Sequence, residues 1–173
     1  MWNEQIIMML LEGIKDTLYM TLTSTLIGYV IGLPMGILLT VTDKDGIHPN
    51  TAVYKVLDVI ANLIRSVPFL ILLIVLIPFT RFLIGRSYGP TATIVPLVIA
   101  AAPYIARMVE SSLKEVDAGV IEAARSMGAS NFTIVTKVML VEARTSLIVG
   151  ATISLGTICL LYTSPSPRDA HES

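Results

Sequence analysis

Charge is scarce in this sequence. Of its 173 residues 14% are charged and 54% hydrophobic, and the mean hydropathy is +0.76. A soluble domain carries roughly 25% charged residues, so much of this surface does not face water. The formal net charge of -1 gives no whole-chain attraction for nucleic acid or an acidic partner. The single cysteine, Cys159, excludes an intrachain disulfide framework and a multi-cysteine metal site. His48 has no neighbour at metal-ligand spacing and reads as a solvated loop residue. There is no G-x-x-x-x-G-K-[ST] phosphate loop, so the chain is not expected to bind or hydrolyse ATP, and no cofactor is expected. A basic leader is lacking too. Glu4, Glu12 and Asp16 interrupt the first apolar run, so the start does not read as a cleavable signal peptide, and the first span would act as its own insertion signal.

What is present is apolar sequence in blocks. Residues 17–42, 66–80, 87–106 and 145–162 are four uncharged runs of 26, 15, 20 and 18 residues. A helix needs about 20 residues to cross the ~30 Å hydrocarbon core. The second run is short alone, so its helix is expected to begin near Val59, with Arg65 facing protein or the interface. The backbone must satisfy its own hydrogen bonds in lipid. The reading is therefore an all-α, polytopic transmembrane bundle with three complete spans and a partial or irregular fourth. Before the first run, Ile6, Ile7, Met9, Leu10, Ile14 and Leu18 share a broad helical face, with Glu12, Lys15 and Asp16 off its centre. Residues 1–16 are thus expected to form an amphipathic helix at the interface or on the bundle, and residues 17–158 the membrane domain.

Orientation follows from the connections. Lys44, Lys55, Arg65, Arg107, Lys114, Arg125, Lys137 and Arg144 fall on one side, eight basic residues against the three of Lys15, Arg81 and Arg86. The eight are expected to be cytoplasmic and the amino terminus outside.

The longest polar segment, residues 107–144, is patterned like structure. Asp117 can cap a helix on which Val120, Ala123, Ala124 and Met127 recur at helical spacing. Gly128 can end it in a left-handed conformation, and Ser130 can cap the next helix. Two short cytoplasmic helices joined by a sharp turn are expected. Ala123 and Ala124 have so little bulk that another protein could approach closely, and Glu122 and Arg125 flank them with charge. The plainer alternative is a generic amphipathic loop.

The stretch "VIEAARSMGASNFTIVTKVML" resembles the EAA loop of the binding-protein-dependent ABC importer permeases. Glu122, Ala123, Ala124 and Gly128 fall at that motif's spacing, and Val138 and Leu140 match its later apolar positions. The family pattern has proline where this chain has Val141, and a second where it has Thr145. The stretches "LIRSVPFLILLIVLIPFTRFLIG" and "TATIVPLVIAAAPYIARMVESSL" resemble the methionine-importing branch of that family, the similarity covering residues 5–156. The resemblance implies a homodimeric permease in a bacterial inner membrane, with two cytoplasmic ATP-binding subunits and an extracytoplasmic binding lipoprotein. Glu122, Ala123, Ala124, Arg125 and Gly128 would couple it to the ATPase. Another small polar solute is the alternative substrate class. A secondary transporter or channel is less well supported, since the apolar blocks hold no acid or histidine to relay ions. A simple anchor would need no docking helices.

The family's later spans are not matched by the ending "CLLYTSPSPRDAHES". Residues 159–173 read as a non-native stretch, such as a truncated or chimeric frame produces, with a natural disordered tail as the alternative. The 173-residue chain is accordingly expected not to transport by itself. Gly28, Gly32 and Gly36 repeat every fourth residue and suit close helix packing against an unnamed partner, with Pro34 adding a kink; ordinary tolerance of small residues in a membrane helix is the alternative. Prolines 68, 78, 90, 96 and 103 either kink the spans for gating or reflect the ordinary frequency of proline in membrane helices. The eight methionines read as packing residues, and Arg65 and Arg107 as snorkelling anchors, with a role in gating or ATPase contact as the alternative.

Overall fold

The computed structural model describes residues 4–86 and 88–163, with side chains as far as Leu160. Among these residues there is no strand. The helices are α1 (Glu4–Thr42), α2 (Thr51–Ser66), α3 (Phe69–Val75), α4 (Ile77–Ile84), α5 (Pro90–Lys114), α6 (Ala118–Ser126), α7 (Asn131–Thr133), α8 (Leu140–Glu142) and α9 (Arg144–Thr163), with a π-helical stretch, Ile134–Met139, between α7 and α8. The fold class expected from the sequence is the one observed.

Two helices, α1 and α5, are long and apolar enough to cross a membrane unbroken. The 39 residues of α1 span about 58 Å, nearly twice the hydrocarbon core. There is no break at residue 16, so the expected amphipathic segment is the first part of the same helix. Residues 4–16 are exposed throughout, and the buried stripe starts at Met20.

The second span departs from expectation. Its helix begins at Thr51, capped by the Asn50 side chain, which accepts from the Val53 amide at 3.3 Å. It does not run on to Thr80. Pro68 has no N–H and forces the residue before it out of the helical region. Val67 is accordingly extended (φ -82°, ψ 124°), and α2 and α3 meet at a bend of 103°. A second break falls at Leu76, just before Pro78 opens α4. Pro90 starts α5. Pro96 and Pro103 lie buried inside α5 without breaking it. Proline therefore divides the chain at 68, 78 and 90 and is absorbed at 96 and 103.

The core sits around α5, which packs on α1, α2, α3, α4 and α9. Leu97, Ala101, Ile105, Ala106, Val109 and Leu113 are buried along it. The partner of the α1 glycines is this helix. Gly28, Gly32 and Gly36 are all buried. A Cβ on Gly32 would stand 2.8 Å from the Ala102 carbonyl and from Ile105, and one on Gly36 2.6 Å from the Ala106 carbonyl and Val109. Such distances leave no room for any side chain, so the two backbones touch because those residues are glycine.

Helix α9 continues unbroken through Cys159 to Thr163, the first part of the stretch expected to be foreign. Residues 164–173 of that stretch lie outside the described residues.

Candidate functional site: the coupling loop and its polar base

Each local signal between residues 117 and 133 produces the expected geometry. The Asp117 side chain accepts from the Gly119 amide at 2.6 Å and starts α6. Gly128 takes φ +80°. The Ala129 amide bonds the Ala124 carbonyl at 3.1 Å and the Gly128 amide bonds that of Arg125 at 3.0 Å. This pair of bonds is a Schellman motif, which needs the left-handed residue that only glycine supplies without strain. Ser130 then accepts from the Thr133 amide at 3.3 Å and starts α7.

The two alanines, however, do not share a face. Ala123 is exposed, as are Glu122, Arg125, Ser126 and Met127. Ala124 is only 5% exposed and belongs to the apolar cluster that includes Ile134, Val135, Met139 and Ala143. Adjacent residues on an α-helix point about 100° apart, so a helix lying on a base must turn one of the pair inward. The reading of Ala124 as a residue presented to a partner is therefore corrected: it attaches α6 to the permease. The outward surface adds residues that the motif does not contain, since Met127 and Phe132 are 82% and 76% exposed.

Beyond α7 the chain widens into the π-helical stretch, in which Ile134, Val135 and Met139 are buried. It then bends by 69° around Ala143 into α9. The turn lies two residues after Val141, where the family pattern has proline, and it forms here without one.

A polar base lies beside this loop. Helix α5 runs past its uncharged block and carries Arg107, Glu110 and Lys114 at i, i+3 and i+7, on one helical face. On α2, Tyr54, Asp58 and Asn62 recur every fourth residue. The two rows interlock. Arg107 is ion-paired to Asp58 and, at 2.7 Å, to Glu110, and donates to Asn62 at 3.3 Å. Glu110 accepts from Tyr54 at 3.3 Å and from Lys114 at 2.8 Å. Lys114 also reaches Asp43, just beyond α1, at 2.7 Å. Its ammonium, bonded to Asp43, holds that carboxyl below the usual carboxylate range. Glu110 is 4% exposed, and a buried carboxylate is tolerable only when paired and hydrogen-bonded as it is here.

Arg107 is thus an ion-paired residue between helices and not a snorkelling anchor. Arg65 and His48 are exposed. The network was missed in the sequence because its halves lie in separate segments. The signal was the pair of helical repeats, 54-58-62 and 107-110-114. Between the network and α6 lies a cavity of about 770 Å³, lined among others by Asp43, Asp45, Lys114, Glu122 and Arg125. The α1–α2 connection and α6, both assigned to one side by their basic residues, lie together across it.

A membrane bundle carrying a capped, exposed helix on a polar base is the arrangement of a transport subunit that engages a second protein. The binding-protein-dependent transport system inner membrane component family matches residues 7–166, nearly the whole chain, and the chain belongs to it. It is thus a membrane-embedded transport component. Among its relatives, the D-methionine transport system permease protein MetI of Salmonella typhimurium is 49% identical over 156 residues, covering 90% of this chain and 72% of the relative. MetI of Escherichia coli K12 is 49% identical over the same extents. An inward-facing structure of the MetNI methionine ABC transporter matches with a TM-score of 0.90 at 48% identity, covering 92% of this chain and 74% of its counterpart.

Proposed function

We propose that the chain is the membrane-spanning permease subunit of an ABC importer for methionine. The observation that carries the reading is the match to the methionine transporter, 48% identical with a TM-score of 0.90 over 92% of the chain. That extent is far longer than the coupling loop, so the likeness is not to the loop alone. The permease works as a homodimer with two ATP-binding subunits on the cytoplasmic side, and a binding lipoprotein outside delivers the amino acid. The amino terminus is outside, in keeping with the positive-inside rule, which sets eight basic residues, Lys44 and Arg125 among them, against three on the other side.

Helix α6 is the docking element, offering Glu122, Ala123, Arg125 and Met127, while Ala124 and Gly128 fix its seat and its end. Its small outward residue permits close approach, and the charges set register, since complementary charge chiefly gives specificity. Closure of the ATP-binding subunits then moves α6 and, through it, the spans.

Co-expression of the complete gene product with its ATP-binding subunit tests this. The two proteins are expected to co-purify, and proteoliposomes containing them with the binding protein are expected to take up methionine in an ATP-dependent way. ATP-dependent uptake of a different solute with none of methionine would move the reading to another substrate class. Failure of the two proteins to co-purify would overturn it.

A further inference from the structure

Helix α6 packs on the π-helical stretch and has no extensive contact with α1 or α2, and the 770 Å³ cavity lies between it and the end of α1. Movement of α6 therefore does not reach those helices by direct packing. It has two physical routes. One runs through the π-helical stretch into α9, where Ser146 bonds Ser112 at 3.1 Å and Glu115 at 2.9 Å. The other starts at the three-residue link between Lys114 and the first residue of α6 and enters the polar network at once.

We propose that Glu110, with Arg107 and Lys114, forms a polar clamp that transmits displacement of α6 to α1 and α2, Glu110 being the positioning residue on which it turns. This rests on the reading of α6 as the docking element. Among the described residues Glu110 alone bonds both cations and Tyr54, and its side chain is buried. Lys114 carries the connection on to Asp43 at the end of α1, and Arg107 carries it to Asp58 and Asn62 on α2. Three carboxylates share two cations, so the pairs can exchange partners as the helices shift without leaving a cation bare. Ion pairs of this kind resist separation yet permit stepwise sliding. Close-packed glycine contacts such as those of Gly32 and Gly36 do not.

The test is methionine taken up per ATP hydrolysed, measured on the complete gene product assembled with its ATP-binding subunits and binding protein in proteoliposomes. Glu110→Gln keeps the side chain's shape and removes the charge that holds both cations. The ratio is expected to fall about tenfold, within the range of couplings between sites, while membrane yield and ATPase recovery stay at wild-type values. Glu110→Asp should restore part of it. Asp43→Asn, at the partly exposed end of the bridge, should lower the ratio about threefold, as suits a weaker pair. An unchanged ratio in Glu110→Gln would overturn the clamp, and so would a loss of ATPase recovery in parallel with the ratio, which would make the residue a scaffold. Should Glu110→Gln not accumulate in the membrane, an unchanged ratio in Asp43→Asn overturns the proposal. Failure of the docking reading looks different: an α6 surface variant such as Ala123→Arg would keep its ATPase, whatever Glu110 does.

Discussion

Helix α5 meets α1 in two different ways along its length. Through the membrane the contact is apolar and closes on Gly28, Gly32 and Gly36, with main chain against main chain. At the end near α6 it gives way to ion pairs, Lys114 with Asp43 just beyond α1 and Arg107 with Asp58 on α2, with a cavity beside them. The first kind of contact has one good geometry, because packing falls off steeply with separation and a glycine seam tolerates neither insertion nor slippage. The second has several, because charged ends of long side chains can re-pair. Such a permease is stiff along the glycine seam and can yield at its polar end. Its spine is set by small residues, and its adjustable joint by residues that sequence reading treats as membrane-edge anchors.

Substitution is expected to act most severely at the seam. Gly36→Leu places a branched side chain where even a Cβ would lie 2.6 Å from the Ala106 carbonyl. Overpacking of this degree costs about 3 kcal/mol or more, and because backbone atoms are involved it cannot be relieved by a rotamer. The expected outcome is loss of folded protein from the membrane fraction, read by size-exclusion chromatography in detergent. Recovery at wild-type level would mean that the seam can open, and the contrast with the polar end would fail.

The smallest effect is expected at Asp43. Its carboxyl is held below the ordinary range by the Lys114 ammonium, so the folded state binds its proton less readily than the unfolded chain does. The stability this pair contributes is fully present above the unfolded value of about 3.8 and is lost as pH falls below it through the folded pKa. Thermal unfolding in detergent between pH 6 and pH 3 should therefore show a slightly steeper loss for the wild type than for Asp43→Asn. Identical slopes would remove Asp43 from the joint.

Much of this was legible beforehand, for physical reasons. Long uncharged runs must be helical in lipid, so α1, α5 and α9 were found. Caps and turns act within a few residues, so Asp117, Gly128 and Ser130 fell where their chemistry required. The glycine stripe was visible as a period of four, but its partner was not, since nothing in α1 says which helix lies opposite. The broken second span was half visible: Pro68 and Pro78 were noticed, yet hydropathy runs straight across them and favours one helix. The polar base escaped because Asp43, Asp58 and Glu110 lie up to 67 positions apart in the chain and come together only through the α1–α5 and α2–α5 contacts. The orientation of Ala124 escaped for a simpler reason. A motif names residue types at a spacing and leaves open which of two neighbours faces inward.

That last point allows the central account to be tested at two adjacent residues. If α6 docks on the ATP-binding subunit by one face and is seated in the permease by the other, arginine at each alanine must fail differently. The measurement is recovery of the ATP-binding subunit in a pull-down, set against membrane yield of the complete gene product. For the exposed Ala123→Arg the account predicts normal yield with ATPase recovery lowered tenfold or more, about 1.4 kcal/mol of lost affinity per decade. For the buried Ala124→Arg it predicts a fall in yield itself, because an unpaired charge would enter the cluster around Ile134 and Met139. Normal yield and normal ATPase recovery in Ala123→Arg would contradict the account.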